Sequence, residues 1–154
     1  MHEQRINYPA AFPEGLKALT QLGHVINNSG LEASLMELVK MRSSQLNGCA
    51  FCIDMHSKDA MAAGETTQRL FALDAWRETT FFTPREQAAL AWTEAITNIQ
   101  QGHAPDAVYA QVKAQFTEGE IVRLTLAITQ INTWNRLAIA FRPPAGNYQP
   151  PKHG

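Results

Sequence analysis

Apolar positions recur at helical spacing along most of the chain, and no stretch alternates apolar and polar residues as a strand does. Leu31, Leu35, Leu38 and Leu46 mark the packed face of a helix predicted from Leu31 to about Leu46. Further helices are predicted near Pro13 to Asn27, Cys49 to Ala63, Thr67 to Ala75, Pro84 to Gln100, Pro105 to Gln115 and Glu118 to Phe141. The last carries Ile121, Val122, Leu124, Leu126, Ile128, Ile131, Trp134, Leu137, Ile139 and Phe141 on every side of its wheel. Such a helix is buried on more than one face, at the centre of a bundle or against a second subunit. The predicted fold is therefore all-α, a compact helical bundle. The 154 residues make one domain, with a core at about 31–142, an N-terminal helical extension and a Pro-rich tail.

Punctuation supports this reading. The eight prolines leave two long gaps, Glu14 to Thr83 and Asp106 to Arg142, both rich in helix-forming residues. Ser29-Gly-Leu-Glu32, Thr83-Pro-Arg-Glu86 and Thr117-Glu-Gly-Glu120 each have the capping-box pattern. Phe116 and Ile121 are placed to staple the third box. Pro84 suits a first helical turn, and Gly64 and Gly102 are read as helix ends. From Arg142 onward the chain is expected to be disordered or strapped over a neighbouring surface.

Composition narrows the function. Apolar residues make up 45% and charged ones 18%, with a formal net charge of −1. The dispersed Lys and Arg give no footprint for nucleic acid and no polybasic membrane anchor. Met1 to Ala10 lacks the pattern of a signal peptide, and no apolar run reaches membrane-spanning length. The expected compartment is the cytoplasm, where two cysteines seldom serve as a structural staple.

Chemistry concentrates in Asn47-Gly-Cys-Ala-Phe-Cys-Ile-Asp-Met-His56. Asn47 or Gly48 can cap the third helix, putting Cys49 in its first turn. Cys52 and His56 follow at offsets that share a helix face. Helix-start N–H groups stabilise a thiolate, which is the nucleophile in redox chemistry. Spacing alone leaves three readings open: a redox pair able to close a disulfide, half of a zinc site with His56 as a third ligand, or two inert buried cysteines. The other histidines, His2, His24, His103 and His153, are isolated. Glu37 is either a solvated helix residue or, if the second and third helices return antiparallel, faces the middle of the Cys-His helix. Trp76, Trp92 and Trp134 are read as core and interface packing. Arg123 and Arg136 are expected to pair with carboxylates at a subunit interface, and Asp54 and Asp59 to be solvated.

Glu37, with Cys49 twelve residues on, then Cys52 and His56, resembles the alkylhydroperoxidase D-like branch of the carboxymuconolactone decarboxylase superfamily. The run from Ile131 to Ile139 is similar to the closing helix of single-domain members, so the resemblance spans roughly Leu31 to Arg142. It implies an alkylhydroperoxidase D-like bundle assembled as a homotrimer or homohexamer. It also implies a thiol peroxidase with no metal or organic cofactor beyond a redox-active Cys49–Cys52 disulfide. Cys52 would attack a hydroperoxide, Cys49 would resolve the sulfenic acid, and His56 and Glu37 would relay the proton. An external dithiol, or a lipoyl or thioredoxin-like partner, would reduce the disulfide. Phe51 departs from the pattern, since well-characterised peroxidase members carry a histidine there; this implies a shorter relay. Two other readings are a cofactor-free decarboxylase or isomerase using His56 and Glu37, and a non-enzymatic redox-sensing oligomer. Decarboxylase members lack the cysteine pair.

Overall fold

The computed structural model describes residues 3–152; His2 and His153 lie outside that range. Among the described residues there are eight α-helices and no strand. The helices are α1 (Tyr8–Ala11), α2 (Pro13–Asn27), α3 (Ala33–Asn47), α4 (Ala50–Ala62), α5 (Thr67–Ala72), α6 (Pro84–Thr97), α7 (Asp106–Gln115) and α8 (Glu118–Phe141). A 3-10 segment, Leu73–Glu78, continues α5. The all-α expectation holds. α1 was not predicted; Pro9 sits in its first turn, and the Asn7 side chain accepts a hydrogen bond from Ala10 N.

Two of the three capping boxes form. Thr83 and Glu86 bond reciprocally at α6, and Thr117 and Glu120 do so at α8. Phe116 and Ile121 are both buried in one core cluster. The box expected at Ser29 does not form. Arg85 takes the Glu32 carboxylate at 2.8 Å, and Ser29 Oγ donates to Ile26 O instead. Gly64 ends α4 in the left-handed region (φ 97), with Gly64 N on Met61 O and Glu65 N on Ala60 O. Gly102 is left-handed too, but it lies in the turn beyond α6, which already ends at Thr97.

The central helix is α3, packed against α4, α6, α8 and the 3-10 segment. From Leu35 to Ser44 only Glu37 and Lys40 escape full burial. On α8, Leu124, Ile128 and Ile131 face the core, while Val122 and Leu126 are exposed. The interior also holds polar groups, all mutually satisfied. Asn47 Nδ2 donates to Asn132 Oδ1 and Asn135 Oδ1, both at 2.9 Å. Asn132 Nδ2 reaches Ser43 Oγ and Thr97 Oγ1, and Asn135 Nδ2 reaches Ser44 Oγ. These bonds tie the end of α3 to α8.

Two surface expectations change. Asp54 and Asp59 are not simply solvated; they hold the tail. Asp54 Oδ2 accepts from Gly146 N, Tyr148 OH donates to Asp59 Oδ1 at 2.6 Å, and Lys58 Nζ donates to the carbonyls of Gly146 and Tyr148. The tail is thus a strap along α4. Arg136 donates to Asn132 of its own helix. At the other end of the chain, Arg5 N and Nη1 donate to Phe141 O and Ala140 O, closing the end of α8.

Glu94 anchors the 3-10 segment. It accepts from Trp76 Nε1 and Arg42 Nε, both at 2.9 Å, and pairs with Arg77. Burial pushes its carboxyl up, but these hydrogen bonds outweigh that and hold it below its ordinary value of 4.5. Glu37 and Glu120 are also lowered. A carboxyl depressed on folding stabilises the fold above its unfolded pKa and loses that stabilisation as pH falls through the folded value. Thermal melts should therefore show stability declining between about pH 5 and pH 3, with a shallower decline in Glu94→Gln. Asn135→Ala removes one of the two hydrogen bonds of the half-buried Asn47 amide and the partner of the buried Ser44 hydroxyl, and should cost about 1 to 3 kcal/mol in urea unfolding. Thr117→Ala removes one cap and should cost about 1 kcal/mol.

Candidate active site

Gly48 determines how α3 becomes α4. It is left-handed (φ 68, ψ 36) and sends its N–H back to the end of α3, so it closes that helix rather than opening the next. Cys49 is consequently not in the first turn, as expected, but is itself the cap of α4. Its Sγ accepts from Cys52 N at 3.3 Å. Cys49 and Cys52 are joined in a disulfide, with Cα atoms 5.3 Å apart. Both are buried, packing with Ala138 of α8 and partly buried Phe51. Among the described residues no three of His, Cys, Asp and Glu are grouped to hold a metal ion.

The reversal runs α4 back along α3 and brings Glu37 to His56. Glu37 Oε2 lies 3.3 Å from His56 Nδ1, and Lys40 Nζ donates to Glu37 Oε1 at 3.4 Å. Glu37 is a half-buried partner of His56, not a solvated residue. Burial pushes its carboxyl up, but the hydrogen bond with His56 and the charge of Lys40 outweigh this and hold it below 4.5. An ionised carboxylate only accepts, so Nδ1 must carry the proton. The neutral ring then presents the Nε2 lone pair, as a general base requires.

His56 and Cys52 line one cavity of about 400 Å³, walled by Tyr8, Thr20, Met55 and Trp134. Its lining is mostly apolar. Trp134, read from sequence as packing, is half-buried and walls this cavity. Trp76 and Trp92 are core residues, with Nε1 bonded to Glu94 and to Thr125 Oγ1. His56 and Lys40 also border a smaller hollow of about 190 Å³ on the α2 side. The imidazole therefore stands between the cysteine cavity and a second opening. Cys49 borders a separate cleft of about 310 Å³ formed by the start of α4, the end of α8 and the tail. A larger hollow of about 640 Å³ runs along α2 and touches neither cysteine.

Sequence reasoning brought forward Cys49, Cys52, His56 and Glu37, and the fold gathers all four. It passed over Lys40 and Tyr8. Lys40 was recoverable, because it lies one helical turn after Glu37. Tyr8 had no local signal. His24 and His103 stay apart from the disulfide; His24 borders the α2-side hollow, and His103 lies in the left-handed turn after Gly102.

The carboxymuconolactone decarboxylase family model matches residues 13–95, from the start of α2 into α6. The Bacillus subtilis (strain 168) protein YdfG, itself uncharacterized, is 45% identical over 137 residues, 89% of this chain and 93% of that protein. ATU0492 of Agrobacterium tumefaciens, a protein of unknown function described as a candidate AhpD antioxidant defence protein, superposes with a TM-score of 0.89. It is 41% identical and covers 97% of this chain and 100% of its own. Alkyl hydroperoxide reductase AhpD of Rhodopseudomonas palustris (strain BisB18) is 43% identical over 44 residues, 29% of this chain and 24% of that enzyme. The fold is AhpD-like, and the chain belongs to the carboxymuconolactone decarboxylase family.

Proposed function

We propose that the chain is a thiol-dependent peroxidase that reduces a hydroperoxide at Cys52 and is recharged by an external dithiol. One observation carries this reading: Cys52 of a closed Cys49–Cys52 disulfide shares a cavity with His56, whose far ring nitrogen is held by Glu37. The similarity to AhpD over a short segment supports it.

In the reduced protein, His56 Nε2 takes the Cys52 proton. The thiolate attacks the peroxide, the O–O bond breaks, and one oxygen stays on sulfur as a sulfenic acid. The leaving alkoxide takes the proton from His56 and departs as an alcohol. Cys49 then attacks Cys52 Sγ, expelling water and forming the disulfide. A dithiol restores both thiols and leaves as a disulfide. The sum is hydroperoxide plus dithiol giving alcohol, water and disulfide. A local base is needed because Cys52 is buried and sits three residues inside α4, where burial raises a thiol pKa and the helix start helps less than it does Cys49. With Phe51 in the position before Cys52, the relay is Glu37 and His56 alone.

Peroxide-dependent consumption of a dithiol is the direct assay; no consumption with hydrogen peroxide or organic hydroperoxides overturns the proposal. Glu37→Gln and His56→Gln should each slow peroxide attack by about ten- to a thousand-fold, with the fold intact by circular dichroism. The double variant should be little slower than the worse single one, because the pair acts as a unit. Unchanged rates in Glu37→Gln would remove the relay from the mechanism.

We also propose that the chain works as a homotrimer or homohexamer. Val122 and Leu126, one turn apart on α8, are 60% and 42% exposed and continue along the helix into Thr129 and Thr133. Light scattering should give a mass above one chain, and Val122→Glu with Leu126→Glu should lower it.

A further inference from the structure

The two carboxylate oxygens of Glu37 have different partners. Oε2 lies 3.3 Å from His56 Nδ1, and Oε1 accepts from Lys40 Nζ at 3.4 Å. Lys40 stands one helical turn after Glu37 on α3, and the two side chains are 16% and 18% exposed. A pair this sheltered from water feels a neighbouring charge more strongly than a surface pair does. Lys40 borders the smaller hollow on the α2 side together with His56, but it does not line the cavity of Cys52. It touches the relay and not the reacting sulfur.

The other titratable groups around the pair leave Lys40 its role. Among the described residues Glu37 forms ion pairs with Lys40 and His56 only. Glu65, beyond α4, lines a hollow with Glu37, but Arg69 of α5 holds both its oxygens. Tyr148 of the tail lies close enough to feel the Glu37 charge. Its phenol is pushed up to about 12, first by burial and then by its bond to Asp59, and so stays neutral. Tyr8 of α1, on the cavity of His56, is raised by burial and is neutral too. His24 of α2 borders the hollow of Lys40 and His56, whose α8 walls, Gln130, Ile131 and Trp134, carry no charge.

Resting on the peroxidase reading for its part in catalysis, we propose that Lys40 is a positioning residue that keeps His56 Nε2 free of a proton near neutral pH, so that the ring can accept the proton of Cys52. While the ring is neutral, the ammonium of Lys40 balances the Glu37 carboxylate. Once Nε2 takes a proton, the imidazolium balances it instead. Lys40 therefore stabilises the first state and opposes the second. Without Lys40 the sheltered carboxylate would draw a proton to the pair. On the ring, that proton makes the imidazolium. On Glu37, it turns the carboxyl into a donor to Nδ1 and leaves the ring hydrogen on Nε2. In both forms Nε2 carries N–H and cannot act as the base. Lys40 thus sets the lowest pH at which His56 can serve Cys52.

The oxidised protein, in which neither cysteine titrates, gives the first measurement. Nitrogen NMR of the isotope-labelled His56 ring, followed against pH, reports which nitrogen carries the proton. Wild type should show Nδ1–H and a bare Nε2 near neutral pH. In Lys40→Met the midpoint of Nε2 protonation should rise by about 0.5 to 1 pH unit, and in Lys40→Arg it should stay close to wild type. The second measurement is the rate of hydroperoxide attack on the reduced protein against pH. Lys40→Met should be about three- to tenfold slower on the acid limb and within about twofold of wild type on the alkaline plateau. A residue that only supports the fold would lower the whole profile and leave the limb in place. Lys40→Gln replaces the methionine variant if that one fails to fold. Nε2–H in neutral wild type overturns the inference, as does a midpoint that does not rise in Lys40→Met or rises equally in Lys40→Arg. A midpoint that rises while the acid limb stays put overturns it as well. If the midpoint rises but no hydroperoxide is reduced even by wild type, the peroxidase proposal falls and the hold of Lys40 on His56 stands.

Discussion

Asn47 holds the last turn of α3 through two hydrogen bonds to buried asparagines of α8, and the next residue reverses the chain. Nothing lies within 4 Å of a Cβ built at Gly48, so it is the left-handed backbone, not lack of space, that calls for glycine there. This one-residue turn makes Cys49 a cap, puts Cys52 in the first turn of α4 and starts α4 back along α3. The antiparallel return then carries His56 to Glu37. A different turn at this point would move both cysteines and break the pairing between the two helices.

Polarity is arranged around that turn with little waste. Burial opposes charge on Glu37, yet its two oxygens are matched by His56 and Lys40, which keep it ionised and fix the orientation of the imidazole. The outer face of α4 is covered by the tail through Asp54, Lys58 and Asp59. The N-terminal segment closes the end of α8 through Arg5 and through Tyr8, whose ring lies 5.6 Å from that of Phe141. Both ends of the chain therefore wall the hollows beside the disulfide: Tyr8 on the side of Cys52, Pro143 and Pro144 on the side of Cys49.

Much of this was legible in the residues. The helices from Pro13 and from Glu118 begin and end where proline placement and capping chemistry indicated. The boxes at Thr83 and Thr117 form because their partners are local, a residue three positions on in the same turn. Ser29 fails for the opposite reason: Arg85, distant in sequence, competes for Glu32. Asp54 and Asp59 were misread likewise, since their partners come from the tail.

Sequence alone determined the all-α class, because helical periodicity and caps depend on neighbours within a few residues. It also brought forward Cys49, Cys52 and His56, because their spacing places them on one helix face, and Glu37 through the family resemblance that the four residues carry. Only the tertiary structure decided that α3, not α8, is the central helix, that Trp134 and Tyr8 wall the cavity of Cys52, and that Cys49 opens onto a different cleft beside Arg142. Those facts depend on how helices far apart in the chain pack together, and no local pattern of side chains encodes that packing.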